Sequence, residues 1–172
     1  CRIGLLTFSD IAEELLPLSN LSDVGAMPGC AAKGLTNYGE AFNLLRVVIQ
    51  RDIANLKAQG LQVYRPAVFF ITDGEPTDDW EANHRALTDK AINPQAPHII
   101  SFGVAGANAA VIGKIGTKAA FIANNGVDPG NALKEILKSL TNTIVNSSSS
   151  SVPTLVVPSA PPGTTAVPLD TM

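Results

Sequence analysis

The chain has 172 residues, 45% of them apolar and 16% charged, a composition suited to one globular domain that buries its core without disulfides or structural metals. Twelve basic and fifteen acidic residues leave a net charge of −3 with no basic run, which argues against nucleic acid or an anionic membrane as partner. No apolar run approaches the roughly 20 residues that span a bilayer, and Cys1 and Cys30 have neither metal-ligand spacing nor the count of a disulfide framework.

The sequence opens on Cys1 rather than Met and passes at once into Arg2-Ile3-Gly4-Leu5-Leu6-Thr7-Phe8, so upstream sequence is expected to be missing. Ile3–Phe8 reads as a strand and Glu13–Leu18 as a second, half polar one. Their short connection predicts an antiparallel hairpin. A loop of about twenty residues, Asn20 to Lys33, is rich in Gly, Ala and Pro, and loops of that length are often functional.

Tyr38 to about Gln59 then reads as a helix. Phe42, Leu45, Ile49, Ile53 and Leu56 recur at steps of three and four, Asn37 and Glu40 have capping-box spacing, and Gly60 is the stop. Ala67–Ile71 is a continuous apolar run, the pattern of a strand buried on both faces. Asp78 with Glu81 predicts a second capping box, opening a helix to about Lys90. Pro97–Val104 is a strand, Asn108–Ile115 a short helix and Ala119–Ala123 a short strand. Asp128 caps a last helix with Pro129 at its first position and Leu133, Ile136, Leu137, Leu140 and Ile144 on its buried face.

Residues 1–146 thus form the predicted α/β domain, a mostly parallel sheet with helices on both faces. Residues 147–172, with six Ser, five Pro and one ionisable side chain, read as a flexible tail. Its apolar patch Leu155-Val156-Val157, between Pro153 and Pro158, reads as linker in preference to a docked edge strand.

In such sheets ligands bind at the carboxyl ends of the strands. There the run Thr72-Asp73-Gly74-Glu75-Pro76-Thr77-Asp78-Asp79-Trp80-Glu81 holds five carboxylates within nine residues. Asp73, at a strand end, suits a hard cation such as Mg²⁺ and is not explained by helix capping. Asp78, Asp79 and Glu81 are explained by a helix N-terminus, whose dipole stabilises negative charge. Thr36, in Gly34-Leu35-Thr36-Asn37-Tyr38-Gly39, has a hydroxyl that caps the following helix or binds metal, capping being the simpler reading. Trp80 either anchors a partner or packs half-buried. His84 reads as a surface histidine, and His98 has no evident partner. No nucleophile elbow, Cys/His pairing or dinucleotide fingerprint is present.

Taken together and in order, the Arg2–Leu18 run, Gly34-Leu35-Thr36-Asn37-Tyr38-Gly39 and Phe69-Phe70-Ile71-Thr72-Asp73-Gly74-Glu75-Pro76-Thr77-Asp78 resemble a von Willebrand factor type A domain. The nearest likeness is to the bacterial cytosolic branch related to tellurium-resistance Y-type proteins. The resemblance covers residues 1–146 and implies a Rossmann-like fold and a cytoplasmic location. It also implies a metal-ion-dependent adhesion site, in which Thr36 supplies a hydroxyl and Asp73 a carboxylate to Mg²⁺ (or Mn²⁺ or Ca²⁺). A protein partner's Asp or Glu would complete the shell, with Asn37, Glu75 and Asp78 helping to set which partner fits. No catalysis is implied.

The family's Asp-x-Ser-x-Ser loop has no counterpart, because Ser9-Asp10 does not match it. The resemblance therefore implies that the first central strand and first helix are missing. That would leave the strands at Ile3–Phe8 and Ala67–Ile71 facing a gap. Each unsatisfied buried backbone group costs about 1–3 kcal/mol, so the chain is expected to be marginal alone. A scaffold with a degenerate metal site is the alternative reading. A Mg²⁺-dependent phosphohydrolase is the third, weakened because Ile71 stands where a second carboxylate is needed.

Overall fold

The computed structural model describes residues 1–29, 34–149, 155, 157 and 159–170, with side chains of helix residues 144–149 outside the description. The chain divides into two compact units, each discontinuous: Cys1–Pro66 with Pro76–Ala96, and Ala67–Glu75 with Pro97–Met172.

In the first unit, Arg2–Phe8 (β1) and Ala12–Asn20 (β2) pair antiparallel, with Phe8 opposite Ala12 and Arg2 opposite Asn20, as the hairpin reading expects. Register irregularities fall between Ile3 and Leu6. Tyr38–Ala58 (α1) follows, and its apolar period is what buries Phe42, Leu45, Val48, Ile49 and Ile53. Leu56, expected on this face, is half-buried. The helix ends where predicted. Gly60 adopts φ 74°, its N–H donates to the Lys57 carbonyl, and the Leu61 N–H donates to that of Leu56. These two bonds satisfy terminal carbonyls that have no partner within the helix.

Glu81–Thr88 (α2) is shorter than its predicted span and starts later. Its N-cap position is Trp80 in helical conformation with no side-chain cap bond, so the expected Asp78/Glu81 box does not form there. Two further expectations are corrected in this unit. Trp80 is only 3% exposed and His84 is buried too. Both join α1 aromatics in one cluster. Phe42 lies 5.8 Å from Trp80 and 5.0 Å from His84, Tyr38 lies 6.0 Å from Trp80, and Phe8 meets Tyr38 edge-on at 5.8 Å. Edge-to-face pairs of this kind contribute about 0.5–1.5 kcal/mol each beyond area burial. Trp80 therefore packs the unit's interior and presents no surface anchor.

In the second unit, Ala67–Thr72 (β3), His98–Gly103 (β4) and Ala119–Ala123 (β5) are parallel in that order, with Ala67 opposite His98 and Ile100 opposite Ala119. Ala109–Ile115 (α3) and Pro129–Ser149 (α4) complete its helices. The architecture is mixed α/β with a four-stranded, mostly parallel sheet. β3 was expected to be covered on both faces, yet it stands at the end of the strand order, and only Phe70 and Thr72 of its six residues are buried. β1 and β3 belong to different sheets. The core gathers Ile100, Phe102, Val104, Ala119, Phe121, Ala132 and Ile136, with Phe102 and Phe121 stacked at 5.3 Å.

The predicted Asp128 cap forms, and Asn108 makes a second one that was not predicted. Asn108 accepts from the Ala110 and Val111 N–H groups, and Asp128 accepts from that of Asn131. The buried face of α4 differs from the reading. Ala132, Ile136 and Thr143 are buried, whereas Leu133 and Leu137 are 39% and 49% exposed. Ile144 lies outside the described side chains. The fourth strand, Thr164–Ala166 (β6), pairs antiparallel with β5 and lies within the stretch read as a flexible tail. In the apolar patch, Leu155 and Val157 are not in a strand, and Leu155 packs against the core.

Candidate functional site

The loop entering α1 is fixed from both sides by residues of its own unit. On one side, the turn joining β1 to β2 holds it. The Leu35 N–H donates to Asp10 Oδ1 (2.6 Å), the Asn37 N–H donates to the Ser9 carbonyl (3.0 Å), and Asn37 Nδ2 donates to the Asp10 carbonyl (2.9 Å). On the other side, Thr77 brackets Thr36. The Thr36 N–H donates to Thr77 Oγ1 (3.2 Å) and the Thr77 N–H to the Thr36 carbonyl (3.0 Å). Thr77 Oγ1 in turn donates to Asn37 Oδ1 (2.9 Å).

Asn37 occupies the N-cap position of α1 without making a side-chain cap bond, so the expected Asn37/Glu40 box is absent. The cap comes from elsewhere. Asp78 accepts the Tyr38 N–H at Oδ1 (2.9 Å) and the Gly39 N–H at Oδ2 (2.7 Å). A carboxylate here satisfies two donors that the helix cannot and meets the positive end of its dipole. Gly39 is required for this approach, since a Cβ there would stand 2.6 Å from Asp78 Oδ2. The negative charge that sequence spacing assigns to α2 therefore serves α1.

Thr36 emerges half-buried, with both backbone polar groups bonded and no hydrogen bond from its hydroxyl among the described residues. Asp73 belongs to the second unit, just past β3. It is exposed and makes no hydrogen bond or ion pair among the described residues. The turn after it is held by the Gly74 N–H donating to Thr72 Oγ1 (3.3 Å). Glu75, also in that unit, is exposed.

A hard divalent ion takes about six oxygens and in proteins usually one or two carboxylates with several waters. Among the described residues no group of three His, Cys, Asp or Glu side chains is placed to hold a metal ion. Asp78 already accepts two helix N–H groups. Thr36 and Asp73 lie in different units, and neither unit completes a cation site from them. Among the described residues of either unit taken alone, the oxygen set that such an ion takes is not assembled.

Asp10 is the residue that sequence reading passed over. It was weighed only as a failed metal motif, while its structural role depends on Leu35, 25 positions away. An Asp in a hairpin turn is its only local signal.

Fold and site together define a mixed α/β protein with a mostly parallel sheet and a polar, hydrogen-bonded turn at the mouth of α1. No family model, curated protein or solved structure matches the chain. No helix among the described residues is long and apolar enough to cross a membrane.

Proposed function

We propose that the chain is a non-catalytic protein-binding module of the von Willebrand factor type A kind, acting in the cytoplasm. Its recognition groups are Thr36 and Asn37 on the fixed loop and Asp73 and Glu75 at the end of β3. The observation that carries this reading is Asp73, an exposed carboxylate without a partner among the described residues, at the carboxyl end of a parallel strand, where α/β sheets bind ligands. Asp78, also assigned to the partner surface by the resemblance, is engaged with α1 and acts on recognition through the loop it anchors.

Two forms of this reading differ in the ion. The resemblance has Thr36 and Asp73 holding Mg²⁺ for a partner's Asp or Glu, in a tellurium-resistance or stress type of system, and the exposed Asp73 carboxylate favours that form. The lack of any three-residue metal-binding group among the described residues favours a scaffold whose ion site is degenerate.

Thermal unfolding with and without millimolar Mg²⁺, on the wild type and on Asp73→Ala, separates the two. A melting temperature raised by Mg²⁺ only when Asp73 is present supports the ion-dependent form. A cooperative transition indifferent to Mg²⁺ supports the scaffold. Mg²⁺-dependent hydrolysis of a generic phosphate ester that disappears in Asp73→Ala would overturn the non-catalytic reading altogether.

A further inference from the structure

The second unit holds residues 161–170 as a strap along β5 and α3. Within β6, Ala166 lies opposite Phe121 and Thr164 opposite Ala123. Ahead of the strand, the Asn124 N–H donates to the Gly163 carbonyl (2.8 Å). Beyond it, the Val167 N–H donates to the Ala120 carbonyl (2.8 Å) and the Asp170 N–H to the Gly113 carbonyl (3.3 Å). Val167 and Leu169 alternate inward and pack on Ala107, Ile112 and Ala120. The helix beneath is cut to receive a main chain. A Cβ on Gly113 would stand 2.6 Å from the Pro168 carbonyl oxygen.

We propose that this channel between β5 and α3 is a strand-acceptor site and that its second occupant is the 161–170 segment of another copy of this chain. Three observations lead there. The bonds and apolar contacts that hold the strap run between residues 163–170 and residues 107–124, so the same set forms whether the strap comes from its own chain or from a neighbour. The hold is small, a three-residue strand with a few flanking bonds, which suits exchange.

The third observation is reach. Fourteen residues, 150–163, separate the end of α4 from β6, and fourteen residues extend to about 46–50 Å. That length allows the strap to leave its own channel for a neighbour's. Connection to its own channel gives the strap an effective concentration on the order of millimolar. Exchange therefore competes as the chain is concentrated toward that level, and prevails where the intramolecular fit is spoiled.

Complementation between two full-length variants tests this. Val167→Asp with Leu169→Asp spoils the strap and leaves the channel intact. Gly113→Val closes the channel and leaves the strap intact. Each alone is expected to be monomeric with a lowered melting temperature. Mixed one to one, they are expected to give a heterodimer by sedimentation velocity, with the intact strap seated in the intact channel.

A synthetic peptide of residues 161–170, at about 100 times its Kd, is expected to raise the melting temperature of the strap variant by roughly 5–10 °C and to leave Gly113→Val unmoved. Should the strap variant not fold alone, recovery of a cooperative transition on adding the peptide replaces the shift. Independently of either variant's folding, the wild type is expected to dimerise as it approaches millimolar concentration, and the strap variant is not. A peptide without effect overturns the acceptor site. Peptide binding without a heterodimer in the mixture and without wild-type dimer at high concentration overturns the second copy as its occupant.

Discussion

Asp78 shows how a single side chain acquires a role that its neighbours in sequence do not suggest. Spacing to Glu81 marks it as a cap for the helix it precedes, yet its carboxylate reaches Tyr38 and Gly39, about forty positions earlier. Local spacing detects only caps within one helix, and this one is made by tertiary structure. Asp78→Ala is therefore expected to destabilise the first unit by about 1–2 kcal/mol, the usual cost of losing an N-cap acceptor. Asp78→Asn, which keeps an acceptor oxygen but not the charge, should lose less. Urea unfolding followed by the fluorescence of Trp80, buried beside α1, measures both. An Asp78→Ala transition superimposable on the wild type would refute the cap. The same blindness to distance explains Asp10, Trp80 and His84. Thr36 and Asp73 were legible as candidate donors because a hydroxyl before a helix and a carboxylate after a strand are local patterns. Their chemical environment was not.

Secondary elements were legible wherever a period governed them. The strand-like runs of β1 and β2, the steps of three and four in α1 and the apolar runs of β3 and β4 all fall within a few residues of their observed spans. Two elements escaped. The face of α4 turns so that Ile136 is fully buried while Leu137 beside it is not, a rotation toward Ala132 and Thr143, small residues that the Leu and Ile stripe does not mark. β6 is Thr-Thr-Ala in a Pro-rich stretch, too short to carry a period, and exists because β5 offers an edge.

Between elements, the link from β2 to α1 has a pH signature. Arg51 grips Glu14 through two nitrogens, at 2.7 and 2.6 Å, and this hydrogen-bonded guanidinium holds the Glu14 carboxyl below the ordinary glutamate value. A carboxyl lowered in the folded state adds stability above its unfolded value, about 4.3, and that contribution fades as pH falls through the lower folded value. With Arg51 43% exposed, the pair contributes no more than about 1 kcal/mol. The stability difference between wild type and Glu14→Gln should accordingly be positive and flat at neutral pH and shrink toward zero in acid. Denaturant titrations at a series of pH values read this directly. A difference that grew in acid would exclude the pair as its source.

At the scale of the whole chain, each compact unit is assembled from two separated stretches, and this decides which fragments can fold. Residues 1–66 contain β1, β2 and α1 but lack the stretch that delivers Trp80, His84 and Leu87 to the α1 face and Asp78 to its N-terminus. Without them Tyr38 and Phe42, both fully buried in the complete chain, face water. Exposing side chains of that size forfeits roughly 1.5–3 kcal/mol each, a large share of the 5–15 kcal/mol that holds a typical domain together. Residues 97–172 keep β4, β5 and β6 but lose β3, the only partner on one side of β4, and with it the Phe69 and Ile71 packing on the core. Neither fragment is expected to show a cooperative thermal transition by circular dichroism, although each carries most of its unit's residues. A sharp transition in 97–172 alone would mean that β4, β5 and β6 form a folding unit without β3. A sharp transition in 1–66 would mean that the aromatic cluster and the Asp78 cap are dispensable to α1.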